Sequence, residues 1–224
     1  MTTSISMQDT GKAVANRAPL TQDELETMIR AVAATDTDVA RAVDQVGIPA
    51  TRHSPQGFES FVRAVTAQQV SVQSARAIFE KVQNGLDGDC SPASILRQDE
   101  DSLRAMGLSR PKARYILGMA QAAKEGTFRP NDLPNMTDDE AVAHIVALKG
   151  FGQWSAEIYL LFSEGRGDMF PAGDLAVQRG YQRLRGLSET PKEKQLRSMT
   201  ENWAPYRGAM AIFLWHLYGA ATFD

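Results

Sequence analysis

The residues best placed to do chemistry lie between Leu148 and Gln178. Asp174 follows the turn-forming run Pro171-Ala172-Gly173 and precedes Leu175-Ala-Val-Gln-Arg, which reads as a helix. An aspartate between a turn and a helix is first of all an N-cap. The positive helix end also holds that carboxylate ionised, and an ionised carboxylate there could stabilise a sugar cation. Upstream, Gly150 and Gly152 bracket Phe151 in a turn short enough to call for backbone angles that residues with a Cβ resist. The N–H groups of such a turn, beside a helix N-terminus, make an anion site that suits a nucleic-acid phosphate without any charged side chain. Taken alone, a Gly-x-Gly turn is more often a plain structural αα-hairpin.

Helices must position these residues. Thr137-Asp138-Asp139-Glu140 has the form of a capping box, so a helix should begin near Thr137 and bury Ala141, Ile145 and Leu148 before Lys149-Gly150 stops it. A second helix opens at Trp154, with Trp154, Ile158, Leu161 and Phe162 available for its inner face. Further back, the loop Ala67-Gln68-Gln69-Val70-Ser71 separates a helix with Phe58, Phe61, Val62 and Val65 inward from one with Ala75, Ile78, Phe79 and Val82 inward. Thr21 to Glu24 and Thr190 to Glu193 also read as capping boxes, the latter with Pro191 at the first helical position. Period-two strands are missing, and the pattern predicts an all-α protein of about ten short helices.

Leu148-Lys-Gly-Phe-Gly-Gln-Trp154-Ser-Ala followed by Phe170-Pro-Ala-Gly-Asp174 resembles the signature of the helix-hairpin-helix (HhH-GPD) DNA glycosylase superfamily. Phe58 to Ser71 and Trp203 to Trp215 agree with it, and the chain looks like the 3-methyladenine DNA glycosylase II branch, which removes alkylated bases. The resemblance implies two helical lobes with the active site in the cleft between them. The roughly fifty residues before Gln56 cannot hold the β-rich domain that larger bacterial members place there, so the chain resembles the compact form. It implies a tail at 1–18 and a glycosylase domain at 19–224, with the hairpin at about 137–163 and the aspartate loop at about 168–175. Asp174 matches the catalytic aspartate. Trp154 and Trp215 match aromatic pocket residues, beside which Tyr159, Ile158 and His216 fall; Ile158 and His216 stand where the best-known bacterial members carry tyrosines. Gln69 matches the residue that fills the gap left by an extruded base, where some relatives use leucine. Gly150, Phe151 and Gly152 would hold DNA phosphate, and the carbonyls of Val146, Leu148 and Phe151 match those that hold a monovalent cation, Na+ or K+, in the family. No other cofactor is expected.

Trp154 stands where bifunctional relatives carry a lysine that attacks the sugar, and Lys149 lies before the hairpin, so a monofunctional, water-using hydrolase without lyase activity is expected. Cys90 is the only cysteine, too few for the four that hold an iron–sulfur cluster in the endonuclease-like branch. An N3- or N7-alkylated purine is already cationic and leaves as a neutral base, so one carboxylate could suffice where sugar-cleaving glycosidases need two acidic groups. The base would be flipped out of the duplex and met by aromatic walls.

The net charge of −3 runs against bulk nucleic-acid affinity. Local clusters answer it: Arg110, Lys112 and Arg114 near a helix start are candidates for phosphate contact, and Arg179, Arg183 and Arg185 follow Asp174. A hydrophobic fraction of 43% supports a core. The N-terminus lacks the apolar run of a signal peptide and no stretch is long enough to span a membrane, which with one cysteine leads to a cytoplasmic, nucleoid-associated monomer of bacterial type acting on double-stranded DNA with damaged bases. Two alternatives stay open: a non-catalytic helix-hairpin-helix DNA-binding module, or a glycosylase for another lesion such as a deaminated purine or 8-oxoguanine, the last disfavoured by Trp154.

Overall fold

Residues 17–221 are described by the computed structural model, so residues 1–16 of the expected N-terminal tail lie outside the described residues, as do 222–224. The described residues form α1 (Gln22–Ala33), α2 (Thr37–Val46), α3 (Phe58–Ala67), α4 (Val72–Gly85), α5 (Pro92–Ile95), α6 (Glu100–Ala105), α7 (Arg110–Glu125), α8 (Asp138–Val146), α9 (Gln153–Glu164), α10 (Leu175–Arg185), α11 (Glu193–Met199) and α12 (Arg207–Gly219), with 3-10 segments at Pro130–Asn135 and Glu201–Trp203. No strand occurs among them, and none of these helices is long and apolar enough to cross a membrane.

Local sequence explains most helix starts. Thr21 and Thr137 form reciprocal capping boxes with Glu24 and Glu140, the threonine N–H donating to the glutamate at 2.8 Å in each. The box expected at Thr190 does not form. The Thr190 hydroxyl is drawn to Gln182 Oε1 at 2.5 Å, and α11 starts later, with Lys192 as N-cap and its N–H donating to Gln195 Oε1 at 3.0 Å.

The helices bury two apolar cores. One gathers α3 to α8, with Phe61, Val65, Phe79, Ile95, Leu103, Ile116 and Ile145 fully or almost fully enclosed. The other joins α1 and α2 to α10, α11 and α12 around Ile29, Val39, Val177, Leu184, Trp203 and Phe213. The chain therefore leaves the second lobe after α2, builds the first, and returns. Residues 47–57 make that crossing as an irregular strap, held by Thr51 N–H to Gln22 Oε1 at 2.9 Å and Ser54 N–H to Phe162 O at 3.1 Å. Helix α9 belongs to both lobes: Ala156, Tyr159 and Leu160 enter one core and Leu161 the other. Within the second lobe, α10 and α12 approach so closely at Gly180 that a Cβ there would overlap the Leu214 carbonyl. That contact brings the start of α10 and its Asp174 cap alongside the residues of α12.

Candidate active site

Asp174 caps α10, as an aspartate after a turn should, and its Oδ1 accepts from Ala176 N–H at 2.9 Å and Val177 N–H at 3.1 Å. Two indoles complete its surroundings. Trp215 Nε1 donates to Oδ1 at 3.0 Å, and Trp154 Nε1 donates to Oδ2 at 3.0 Å. Oδ1 thus receives three donors and Oδ2 one, which leaves Oδ2 with accepting capacity on a half-buried carboxylate. The four donors fix both the position and the turn of the carboxylate.

The aspartate loop is braced from behind. Gly167 O accepts from Gly208 N–H at 2.7 Å, and Asp168 pairs with Arg207 through Nε at 2.9 Å, tying the loop to the start of the helix that carries Trp215. Arg197 donates to Phe170 O at 3.2 Å and pairs at 2.8 Å with Glu193 and with the buried Glu157 of α9. Burial pushes the Glu157 carboxyl above the ordinary range despite Arg197.

Trp154, Ile158, Leu161 and Phe162 were expected to form the inner face of α9. The buried residues include instead Ala156, Tyr159 and Leu160 on one side and Leu161 on the other, and Trp154 stands 47% exposed. Trp154, Ile158 and Phe162 are spaced at successive turns of α9, and Ile158 and Phe162 each line a recess. Phe162 stacks on Trp215 with ring centroids 5.6 Å apart. Two recesses flank this stripe. One, of about 170 Å3, is walled by Phe162, Trp215, Ile212, His216 and strap residues 49–52. The other, of about 230 Å3, has Ile158, Ser155, Phe151 and Tyr159 on one side and Phe61 and Ala64 on the other.

Tyr159 is not a free stacking ring. It is buried against Phe61 with centroids 4.2 Å apart, its hydroxyl accepts from Gly57 N–H at 3.2 Å, and burial pushes its pKa up to about 12. His216 holds Val46 O at 2.8 Å through Nε2 and reaches its recess only as a side wall. Phe162 and the strap are site elements that the sequence reading missed. Pro49, Ser54 and Pro55 mark an irregular segment in the sequence, but nothing local tells which groove it crosses.

In the hairpin, Gly150 has φ of +93° and a Cβ on it would meet the Tyr115 ring at 2.5 Å, so glycine is required there. Gly152 differs from expectation. It has φ of −111°, an ordinary extended value, and a Cβ would have nothing within 4 Å. It caps α9 with no side-chain hydrogen bond, so the first N–H groups of α9 have no side-chain cap. The Phe151 side chain belongs to the core, 7% exposed and edge-on to Phe61. Of the three hairpin carbonyls, Val146 ends α8, Leu148 O accepts from Phe151 N–H at 3.1 Å, and Phe151 precedes the cap.

Gln69 sits at the tip of the loop between α3 and α4, exposed, with φ of +55°, a left-handed value that costs a side-chain-bearing residue strain. Its neighbour Gln68, not singled out above, donates from Nε2 to Gly150 O at 2.8 Å and so joins this loop to the hairpin. The cationic clusters are largely engaged. Arg110 and Arg114 share Glu100 at 3.0 and 2.8 Å, and Lys112 donates to Thr66 O at 2.9 Å, so a free patch at 110–114 is replaced by a brace behind the loop. Arg185 pairs with Asp36 and Asp38, Arg183 donates to Leu217 O at 3.0 Å, and Arg179 donates to the Tyr218 hydroxyl at 3.2 Å. Cys90 is buried and unbridged, its thiol pushed up to about 11 by burial, and no group of three or more His, Cys, Asp or Glu suited to a metal occurs among the described residues.

Comparison with known proteins gives one consistent answer. The family described as HhH-GPD superfamily base excision DNA repair protein matches residues 62–205. DNA-3-methyladenine glycosylase 1 of Schizosaccharomyces pombe is 31% identical over 161 residues, 70% of this chain and 71% of that one. Among solved structures, a DNA-3-methyladenine glycosidase from Bacillus halodurans superposes with a TM-score of 0.80 at 29% identity, covering 86% of this chain and 89% of that one. The S. pombe 3-methyladenine DNA glycosylase in complex with abasic DNA gives 0.77 at 28% identity, covering 88% and 99%.

Proposed function

This chain belongs to the HhH-GPD superfamily of base excision DNA repair proteins, and on that premise we propose that it is a monofunctional DNA glycosylase that extrudes alkylated purines of the 3-methyladenine type and hydrolyses their N-glycosidic bond. The observation that carries the reading is the doubly indole-bonded carboxylate at Asp174, one of whose indoles, Trp215, walls a recess together with Phe162. A base inside a duplex cannot reach that recess and has to be flipped into it. The exposed Trp154 face and the Trp215–Phe162 stack offer π surfaces that attract an electron-poor, cationic base by about 0.5–2 kcal/mol per contact. As the C1′–N bond lengthens, positive charge grows on the sugar, and Asp174 Oδ2 is the oxygen free to stabilise it and to orient the attacking water. The leaving base is neutral, so no general acid is needed.

Duplex DNA is gripped in two places. The uncapped N-terminus of α9 at Gly152 receives a backbone phosphate, and Gln69 enters the gap left by the flipped base. Glycine at position 152 answers no crowding within the protein, which supports close approach of an outside group. A monovalent cation held by the carbonyls of Val146, Leu148 and Phe151 would add positive charge beneath that phosphate; the negative end of α8 suits it. We take the protein to act as a monomer in the cytoplasm.

The test is chromatography of bases released from methylated duplex DNA. Wild type is expected to release methylated purines and Asp174→Asn to do so at least about 100-fold more slowly, with no covalent adduct trapped by borohydride. Near wild-type release by Asp174→Asn would leave only a DNA-binding module, and a trapped adduct would make the enzyme a lyase.

A further inference from the structure

Glu157 is a buried carboxylate that neither the packing of α9 nor the bonds to Asp174 account for. It is 4% exposed, and its Oε2 is enclosed without a hydrogen-bond partner, a costly state for a carboxylate oxygen. All its bonding runs through Oε1, which accepts from Gln153 Nε2 at 3.1 Å and pairs with the Arg197 guanidinium of α11 at 2.8 Å. Arg197 also donates to Phe170 O at 3.2 Å, at the opening of the turn that ends on Asp174. Within that turn Asp174 N–H donates to Pro171 O at 2.9 Å and Gln178 donates to Ala172 O at 2.7 Å, bonds that move with α10 and its cap. The bond to Phe170 O instead fixes the turn to another helix. Glu157 stands three residues after Trp154 on α9, and Trp154 is the half-exposed ring whose N–H reaches Asp174 Oδ2.

We propose that Glu157 is a positioning residue for base release: through Arg197 it ties α9 to the aspartate turn and so sets the Trp154 indole against the Asp174 carboxylate. The proposal rests on the base-removal reading above. Little packing holds the exposed indole, so its 3.0 Å bond to Oδ2 depends on how α9 stands to the turn. A small shift of α9 turns the open lone pairs of Oδ2 away from the sugar, and such misplacement slows a chemical step far more than it weakens binding. Glu193 limits the damage elsewhere. It pairs with Arg197 at 2.8 Å on α11 itself, so losing the Glu157 charge leaves the guanidinium partnered and frees only its α9 end. Glu157→Gln keeps the shape of the side chain and removes that charge.

Both kcat and KM are to be measured on methylated duplex DNA for Glu157→Gln made in wild type and in Trp154→Phe, with thermal melts of all four proteins. In wild type the change is expected to lower kcat by on the order of tenfold with KM within about twofold. In Trp154→Phe, where no N–H remains to be placed, it should lower kcat by less than about threefold while lowering Tm as much as in wild type. Arg197→Lys keeps the charge but loses the fork that reaches Phe170 and Glu157 together. It should repeat the pattern, and it decides the matter if Glu157→Gln does not fold. Equal loss of kcat in both backgrounds overturns the proposal and marks a merely structural role. A wild type that releases no base fails the base-removal reading and takes this proposal with it, whereas release indifferent to the change at position 157 fails the proposal alone.

Discussion

Asp174 is held by donors that come from three places in the chain, and each has a separable job. The amides of Ala176 and Val177 fix where the carboxylate stands, while the indoles of Trp154 and Trp215 fix how it is turned. Trp215→Phe keeps an aromatic wall and removes only the N–H from Oδ1, so base release should fall roughly tenfold, the worth of one hydrogen bond to a charged group, with thermal stability little altered. Trp154→Phe removes the sole donor to Oδ2 and should lower kcat by a similar factor while raising KM less, checked by steady-state kinetics on methylated DNA. The carboxylate itself was legible, because a turn followed by a helix calls for such a cap. Trp154 and Trp215 were named as pocket residues only through the resemblance, and their bonds to the carboxylate were not legible, since one lies 20 residues before it and the other 41 after; the close contact of α10 with α12 and the shared position of α9 bring them together. Tyr159 and Lys112 show what the sequence leaves out. Both have the right chemistry for a site, yet Tyr159 also packs on Phe61 in the core behind its recess and Lys112 is held on the Thr66 carbonyl.

At the scale of elements, the hairpin separates two meanings of glycine that the sequence could not. Gly150 is required by its own backbone angle and by the Tyr115 ring, so Gly150→Ala should lose about 2–3 kcal/mol in a denaturant melt. Gly152 is open on all sides, and Gly152→Ala should cost no more than about 1 kcal/mol of stability while weakening duplex binding several-fold in a fluorescence titration. If the second variant bound DNA as wild type does, the phosphate would have to be held elsewhere. The hairpin helices, the capping box of α8 and the loop at Gln69 were all readable from periodicity and punctuation. The strap was readable only as punctuation. Its course across the groove is set by hydrogen bonds to Gln22 and Phe162, residues 29 positions before Thr51 and far downstream, and no local pattern encodes such a crossing.

For the whole molecule, the lobe built from both chain ends depends on one buried ionic knot. Asp36, the N-cap of α2, receives Arg185 from the end of α10 and the Trp203 indole at 3.0 Å. Burial alone would raise the Asp36 carboxyl, but the bonds from Arg185 and Trp203 outweigh it and hold it below its usual 3.8. A depressed folded-state value means that its contribution is complete above about pH 4 and is lost as the pH falls through that lower value. Asp36→Ala should therefore cost about 3 kcal/mol at pH 7 by leaving Arg185 to Asp38 alone and the buried Trp203 N–H without its acceptor, and the gap from wild type in thermal melts should narrow in acid. The all-helical class was legible from the missing strand pattern, whereas the pairing of the first two helices with the last three was not, because each of those faces is apolar in the same way. Helix α9 then decides what kind of object the protein is. Tyr159 and Leu160 serve one half and Leu161, the next residue, the other, so neither half owns a finished interior. A truncated chain ending before α9 is therefore expected to leave both interiors open at the seam.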